Sequence, residues 1–312
     1  MSRVLVTGSI VYDSIMNFEG RFKDHILPDK IHMLNVSFLV DELRKHFGGT
    51  AGNIAYNLSL LGLAPRIMAT AGKDFWEYED WLKLNKIDYG HIKVIHDEYT
   101  AQAYITTDQD DNQITAFHPG AMKFASKLSI RDLKDKPELI VVSPNDTLAM
   151  QKLCKEAHAM RIKILFDPGQ QITALSSDAL KECLSFADYI IVNDYELELI
   201  TERTKLSQSQ ILESCKALIV TRGNQGSIIH TPTKSYKIFA FPATKIVDPT
   251  GCGDAYRAGI IYGLLAELDW ETSGQIASLI ASYKIASPGG QSHKFTLDEF
   301  KKQFKDWVGK EL

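Results

Sequence analysis

The stretch DPTGCGDAYRAG, residues 248–259, holds three glycines, two acids and one cysteine between a β-like segment and an apolar helix. From Asp254 the chain continues DAYRAGIIYGLLAEL, with Ala258, Ile261, Tyr262 and Leu265 at i, i+3, i+4 and i+7, the stripe of a packed helix. Gly251 and Gly253 therefore fall at a helix N-terminus. The first amides there lack intrahelical acceptors and the helix dipole adds partial positive charge, so glycines let an anion approach the backbone closely.

The common phosphate loops do not match. An acid follows Gly253 where a Walker A loop needs lysine, and GCGDAY lacks the third glycine of a dinucleotide loop. A carboxylate aimed at phosphate repels it unless a protonated group lies between them. A substrate hydroxyl fits that gap: Asp254 accepts its proton while the amides stabilise charge on a transferring phosphoryl group. Taken alone, the same residues also read as a helix-start acid beside a tight turn.

A second glycine-rich helix entrance supplies context. In HFGGTAGNIAYNLSLLG, residues 46–62, Ile54, Leu58 and Leu61 mark a stripe, Gly62 stands at the expected end, and Gly48, Gly49 and Gly52 come first. Asn53 offers an amide to a polar ligand.

Elsewhere, β-branched runs alternate with helical patterns. Strands are expected near Arg3 to Thr7, Arg66 to Thr70, Leu139 to Ser143, Lys163 to Asp167, Tyr189 to Asn193 and Leu218 to Thr221, with helices over 147–160 and 179–186. The fold class is α/β, a doubly wound and mainly parallel sheet flanked by helices. Asp167, Asn193 and Thr221 end strands on the edge where such sheets bind ligands. Segments 14–46 and 98–117 break the alternation, and both are expected to form one small β-sheet lid. No repeat or linker marks a second domain, so residues 1–312 read as one unit.

Composition narrows the classes. The 312 residues are 45% hydrophobic and 24% charged, an ordinary globular balance. A net charge of −4 argues against nucleic acid as a partner. Cys154, Cys183, Cys215 and Cys252 have neither disulfide-framework nor zinc spacing. MSRVLVTGSIVYDS is interrupted too early for a signal peptide, and no run reaches the roughly 18 apolar residues of a membrane span. A cytoplasmic protein without membrane partners is the expectation.

GGTAGNIAYNLSLLG and DPTGCGDAYRAG, in this order and at this distance, resemble the two signatures of the ribokinase-like (PfkB) carbohydrate and nucleoside kinases. NDYE at 193–196 and TRGNQG at 221–226 are similar to further elements of that family, and the likeness spans the whole chain. Pro249 departs from the Thr that many members carry there, but leaves the acid and glycines in place. Within the family, VTGSIVYD, SFLVDEL, HPGAM and DPGQQ look most like bacterial adenosine kinases.

The resemblance implies ATP- and magnesium-dependent phosphorylation of adenosine at its 5′-hydroxyl, giving AMP and ADP. It implies Asp254 as the base, the amides of Gly251, Cys252 and Gly253 as the anion hole, and Arg257 reaching the transferring phosphate. It places Asp13 on the ribose hydroxyls with Gly48, Gly49 and Asn53, Ser9 and Ser37 lining the site, and Phe117 stacked on adenine near Gln170 and Gln171. Asn193 and Glu196 would hold magnesium and phosphates through water, and Thr221, Gly223 and Gly226 would lie against ATP. Tyr104 is a candidate second stacking face, and His46 and His118 read as structural. A lid edge commonly pairs with another subunit, so a homodimer is expected. Two alternatives stay open: a kinase of this family for another nucleoside or a sugar, and an inactive member that senses a nucleoside.

Overall fold

The computed structural model describes residues 3–26, 35–110 and 112–312. The expected lid segment 14–46 therefore includes eight positions, 27–34, outside the described residues, as is Asp111 of the polar turn.

Nine strands form the main sheet: β1 (Val4–Thr7), β4 (Arg66–Gly72), β5 (Asp88–Ile95), β8 (Leu139–Val142), β9 (Lys163–Phe166), β10 (Tyr189–Asn193), β11 (Ala217–Thr221), β12 (Ser227–His230) and β13 (Ser235–Ile238). Their order is β13-β12-β11-β10-β9-β8-β1-β4-β5. Every pairing is parallel except β11 with β12 and β12 with β13. The smaller sheet has the order β3-β2-β6-β7, built from β2 (Val11–Asn17), β3 (Glu42–Gly48), β6 (Ala101–Thr107) and β7 (Gln113–His118).

The central strands are continuous apolar runs because helices cover both faces. LIVV of β8 is buried at every position. Strand alternation then divides the core in two. Val4, Val6, Val141, Ile191 and Ile219 pack beneath α2 (Thr50–Leu60), α3 (Trp76–Leu84), α8 (Cys252–Leu265) and α9 (Trp270–Ile285). Leu5, Ile140, Val142, Ile190 and Val192 face α4 (Thr147–Ala159), α5 (Ser177–Phe186), α6 (Asp194–Thr204) and α7 (Gln208–Glu213). Among the described residues the remaining α-helices are the short α1 (Phe22–His25) and α10 (Leu297–Val308), whose Phe300 and Phe304 pack on α9.

All six expected strands are present, within a residue or two of the expected ends. β5, β12 and β13 were not anticipated. Residues 255–261 of α8 are buried around the whole circumference, not along one stripe, because α2 and α9 pack on it from different sides.

Segments 14–46 and 98–117 do combine in the small sheet, and β6 and β7 flank the expected polar turn. The sheet is mixed: β2 runs parallel to β6 and antiparallel to β3. Its register puts His46, Asp13, Ala103 and Phe117 in one lateral row across four strands. Laterally paired residues share a face, so Asp13 and Phe117 project to the same side, two strand spacings or about 10 Å apart. Tyr104 follows Ala103 and points to the opposite side, where its hydroxyl meets Gln102 Oε1 at 2.5 Å.

Candidate active site

The N-terminus of α8 is open. Gly251 is its N-cap with φ 78° and ψ 1°, a left-handed conformation that any side chain would strain, and an added Cβ would come 3.1 Å from Gly290 Cα. The amides of Gly251 and Gly253 have no acceptor among the described residues. That of Cys252 donates to Pro249 O at 3.1 Å. Of the three amides expected at an anion hole, the turn that opens α8 therefore consumes the Cys252 N–H and leaves those of Gly251 and Gly253. Burial pushes the Cys252 thiol up to about 11, so it stays neutral and serves as a small residue.

Asp254, on the first turn, is held by its neighbours. Asn53 Nδ2 donates to Asp254 Oδ2 at 2.8 Å, while Asn53 Oδ1 accepts from Gln291 Nε2 at 3.0 Å. Gln291 Oε1 in turn accepts from Trp81 Nε1 at 2.8 Å. Asn53, expected at the sugar, thus has its amide nitrogen on the Asp254 carboxylate. Burial pushes the Asp254 carboxyl up to about 6, against the pull of Arg257 and the Asn53 hydrogen bond.

Asp13 is 8% exposed in β2 and lies against Gly48, the last residue of β3. Burial, then the charges of Asp254 and Asp248, push its carboxyl up to about 7. An acid of the small sheet and an acid on the first turn of α8 thus stand close enough for the charge of Asp254 to oppose the ionisation of Asp13. Ser9 is committed to the fold: its Oγ accepts from Thr50 N at 3.1 Å, satisfying an orphan amide of α2 beside Gly49, the N-cap. Phe117 is 46% exposed on the Asp13 side of the small sheet, while Val11, Ala101, Ala103 and Ile105 form an apolar patch with Met122. Tyr104, on the other side, cannot provide a second stacking face in this register.

Arg257 is not free to reach out. Its Nε and Nη2 grip Asp167 at 2.5 and 2.6 Å, and both residues are buried. Burial pushes the Asp167 carboxyl up and the guanidinium pulls it back down. The expected phosphate contact is corrected to a buried ion pair between α8 and the end of β9, with Nη1 lying against Gly253.

Asn193 and Glu196 form a capping box on α6: Asn193 Oδ1 accepts from Glu196 N at 2.7 Å and Glu196 Oε2 from Asn193 N at 2.8 Å. That box uses one carboxylate oxygen of Glu196. Burial raises the carboxyl, and Asp167 and Arg257 act on it with opposite sign. No group of three His, Cys, Asp or Glu placed to hold a metal occurs among the described residues. A water-mediated role for Glu196 suits Mg2+, which keeps most of its waters and takes few carboxylates.

Thr221 ends β11 beside Asn193, its register partner. Gly223 is in open space, whereas a Cβ on Gly226 would strike Ile238 O. Gly226 is therefore required by the approach of β13. Gln170 and Gln171 occupy a short turn after β9, with Gln170 exposed and Gln171 half-buried. Ser37 is exposed next to the undescribed stretch. Gln291 and Lys284 escaped the sequence reading, since no local motif marks them, and Asp167 was read only as a polar strand end on the ligand-binding edge, not as the partner of Arg257.

No helix among the described residues is long and apolar enough to cross a membrane. The chain matches the pfkB family carbohydrate kinase model over residues 1–296. It is similar to the nucleoside kinase of Methanocaldococcus jannaschii, 31% identical over 301 residues that cover 96% of this chain and 95% of that protein. It also resembles the solved structure of Burkholderia thailandensis nucleoside kinase in complex with inosine: TM-score 0.91, 40% identity, 99% of this chain and 100% of that one. The same kinase in complex with ADP-inosine gives TM-score 0.88 and 42% identity over 99% and 97% of the two chains.

Proposed function

The chain belongs to the pfkB family of carbohydrate kinases, and from that premise we propose that it is an ATP-dependent nucleoside kinase acting on the 5′-hydroxyl of purine nucleosides, adenosine among them. The observation that carries this reading is the pair of acids brought together from a helix and the small sheet, Asp254 at the glycine mouth of α8 and Asp13 in the row that ends at Phe117. The likeness to a kinase solved with inosine supports a purine base.

In this reading Asp13 accepts hydrogen bonds from the ribose hydroxyls, and Phe117 covers the base beside the apolar patch. Asp254 takes the 5′-hydroxyl proton as the oxygen attacks the γ-phosphorus of ATP. The Gly251 and Gly253 amides take up negative charge on the transferring oxygens. Mg2+ bound to the ATP phosphates would neutralise charge there, with Glu196 reached through water. Thr221 and Gly223 border the nucleotide. A sugar kinase has less use for an exposed aromatic two strands from the hydroxyl-binding acid, which favours a nucleoside.

ADP release, measured with ATP and Mg2+ against adenosine, inosine, guanosine, cytidine, ribose and fructose 6-phosphate, tests the substrate class. Turnover is expected with adenosine and inosine. Preference for ribose or fructose 6-phosphate would discard the role given to Phe117.

The raised carboxyls make a further prediction. Because Asp254 must be ionised to act as a base, kcat/KM should rise with pH through about 6 to 7 and level off above. Stability should move the other way. Both acids bind protons more tightly folded than unfolded, so their contribution is complete below about pH 4 and is lost as pH rises through about 6 and 7. A thermal-unfolding series with Asp13→Asn and Asp254→Asn should therefore show a weaker loss of stability from pH 5 to 8 than the parent. An identical pH slope in all three proteins would contradict the assignment.

A further inference from the structure

Lys284, on the last turn of α9, is 0% exposed. Lysine is almost never fully buried without a partner, because removing an ammonium from water is expensive. Among the described residues its Nζ bonds no carboxylate. It donates to two main-chain carbonyls, Asp248 O at 2.8 Å and Ser287 O at 2.9 Å. Those carbonyls belong to the turn that enters α8 and to the loop that leaves α9. Burial lowers the affinity of Lys284 for its proton, and the surrounding Cys252, Asp248 and Asp254 oppose that effect.

The same two segments are joined by other bonds. Val247 N and Asp248 N both donate to Ile285 O, at 2.9 and 3.2 Å. The Asp248 carboxylate accepts from Thr250 N at 2.8 Å and from Gly289 N at 2.7 Å. Gly251 sits on top of this knot, and a Cβ built on it would lie 3.6 Å from Lys284 Cε. A leucine or methionine would fill this space without the desolvation cost, so packing alone does not account for the charge. What the ammonium adds is a tie between two sets of carbonyls and a positive charge buried beneath the open N-terminus of α8. Both act where negative charge develops in phosphoryl transfer, and burial from water strengthens the second.

We propose that Lys284 is a positioning residue for phosphoryl transfer, a built-in cation that holds the 248–251 turn in the shape presenting the Gly251 and Gly253 amides. The proposal rests on the kinase reading above and extends it to a residue outside the glycine motifs. Lys284 acts through the turn and need not touch the substrate.

Two variants test it. Lys284→Met keeps the length of the side chain and removes its charge, while Lys284→Ala leaves a hole lined by the Asp248 and Ser287 carbonyls. With ATP, Mg2+ and the purine nucleoside found to turn over, both should keep the parent nucleoside KM within about threefold and lose about 100-fold in kcat. Ammonium or methylamine should restore kcat of the Ala variant at least about tenfold and leave the Met variant unchanged, since the methionine fills the hole. A merely structural lysine would not yield amine-dependent kcat in an already folded protein. The proposal is overturned by a Met variant with parent kcat, by an Ala variant that no amine restores, or by failure of either variant to fold. Asp254→Asn separates the two levels. If that variant keeps parent turnover, the kinase mechanism falls; if it is inactive while the Lys284 variants match the parent, only the role of Lys284 falls.

Discussion

Asp254→Asn is expected to lower kcat by about 1,000-fold or more, within the 10²–10⁴ that a positioned general base contributes, while nucleoside affinity changes by less than about threefold. The substitution is close to isosteric, and the new carboxamide oxygen can accept the 2.8 Å bond from Asn53 Nδ2. The Asn53, Gln291 and Trp81 chain behind it therefore has no reason to move. What disappears is the carboxylate on the first turn of α8 that is proposed to take the proton from the alcohol. Removing that charge also relieves Asp13, whose carboxyl is raised in part by Asp254. Calorimetric nucleoside binding together with single-turnover phosphoryl transfer is the measurement that checks this. A variant retaining a tenth or more of parent kcat would refute Asp254 as the base.

The second large effect falls on stability. Arg257→Met should destabilise the fold by about 3–5 kcal/mol, because Asp167 is left buried without its partner. Few surface pairs in this chain could approach that. Arg3 with Glu138 has comparable distances, but both side chains are about half exposed and water already solvates them. The double variant Arg257→Met with Asp167→Leu should recover most of the loss, since a buried ion pair and a well-packed apolar pair are often nearly equal in free energy. Urea unfolding of the two single variants and the double variant completes the cycle. If Arg257→Met costs less than about 1 kcal/mol, the pair is not the clamp between α8 and β9 described here.

The two effects separate chemistry from architecture on one helix. Asp254 and Arg257 are three positions apart and share a face of α8. The first is turned to the open mouth. The second is turned down to the sheet edge, where it also influences Glu196. That division follows from the Arg257 guanidinium being spent on Asp167.

Local patterns determined a good deal about this protein. Short β-branched runs such as LIVV and YIIVN read as strands buried on both faces, and their alternation with amphipathic helices favours a parallel α/β sheet as the packing solution. The glycines before Asp254 mark a helix mouth because a left-handed N-cap at Gly251 tolerates no side chain. Both kinds of evidence lie within a few residues of chain, where backbone sterics act. The tertiary structure alone decided what each polar side chain does once several segments meet. Asn53 bonds Asp254 from 201 residues away, Arg257 pairs with Asp167 across 90, and Gln291 reaches Asn53 across 238. Lys284 reads in sequence as one more charged residue on a helix, and only the convergence of two loops on its ammonium shows that it is buried. Partners so distant leave no periodicity or spacing in the chain, because hydrogen bonds and ion pairs depend on separation in space, and the packing of the two core layers sets that separation.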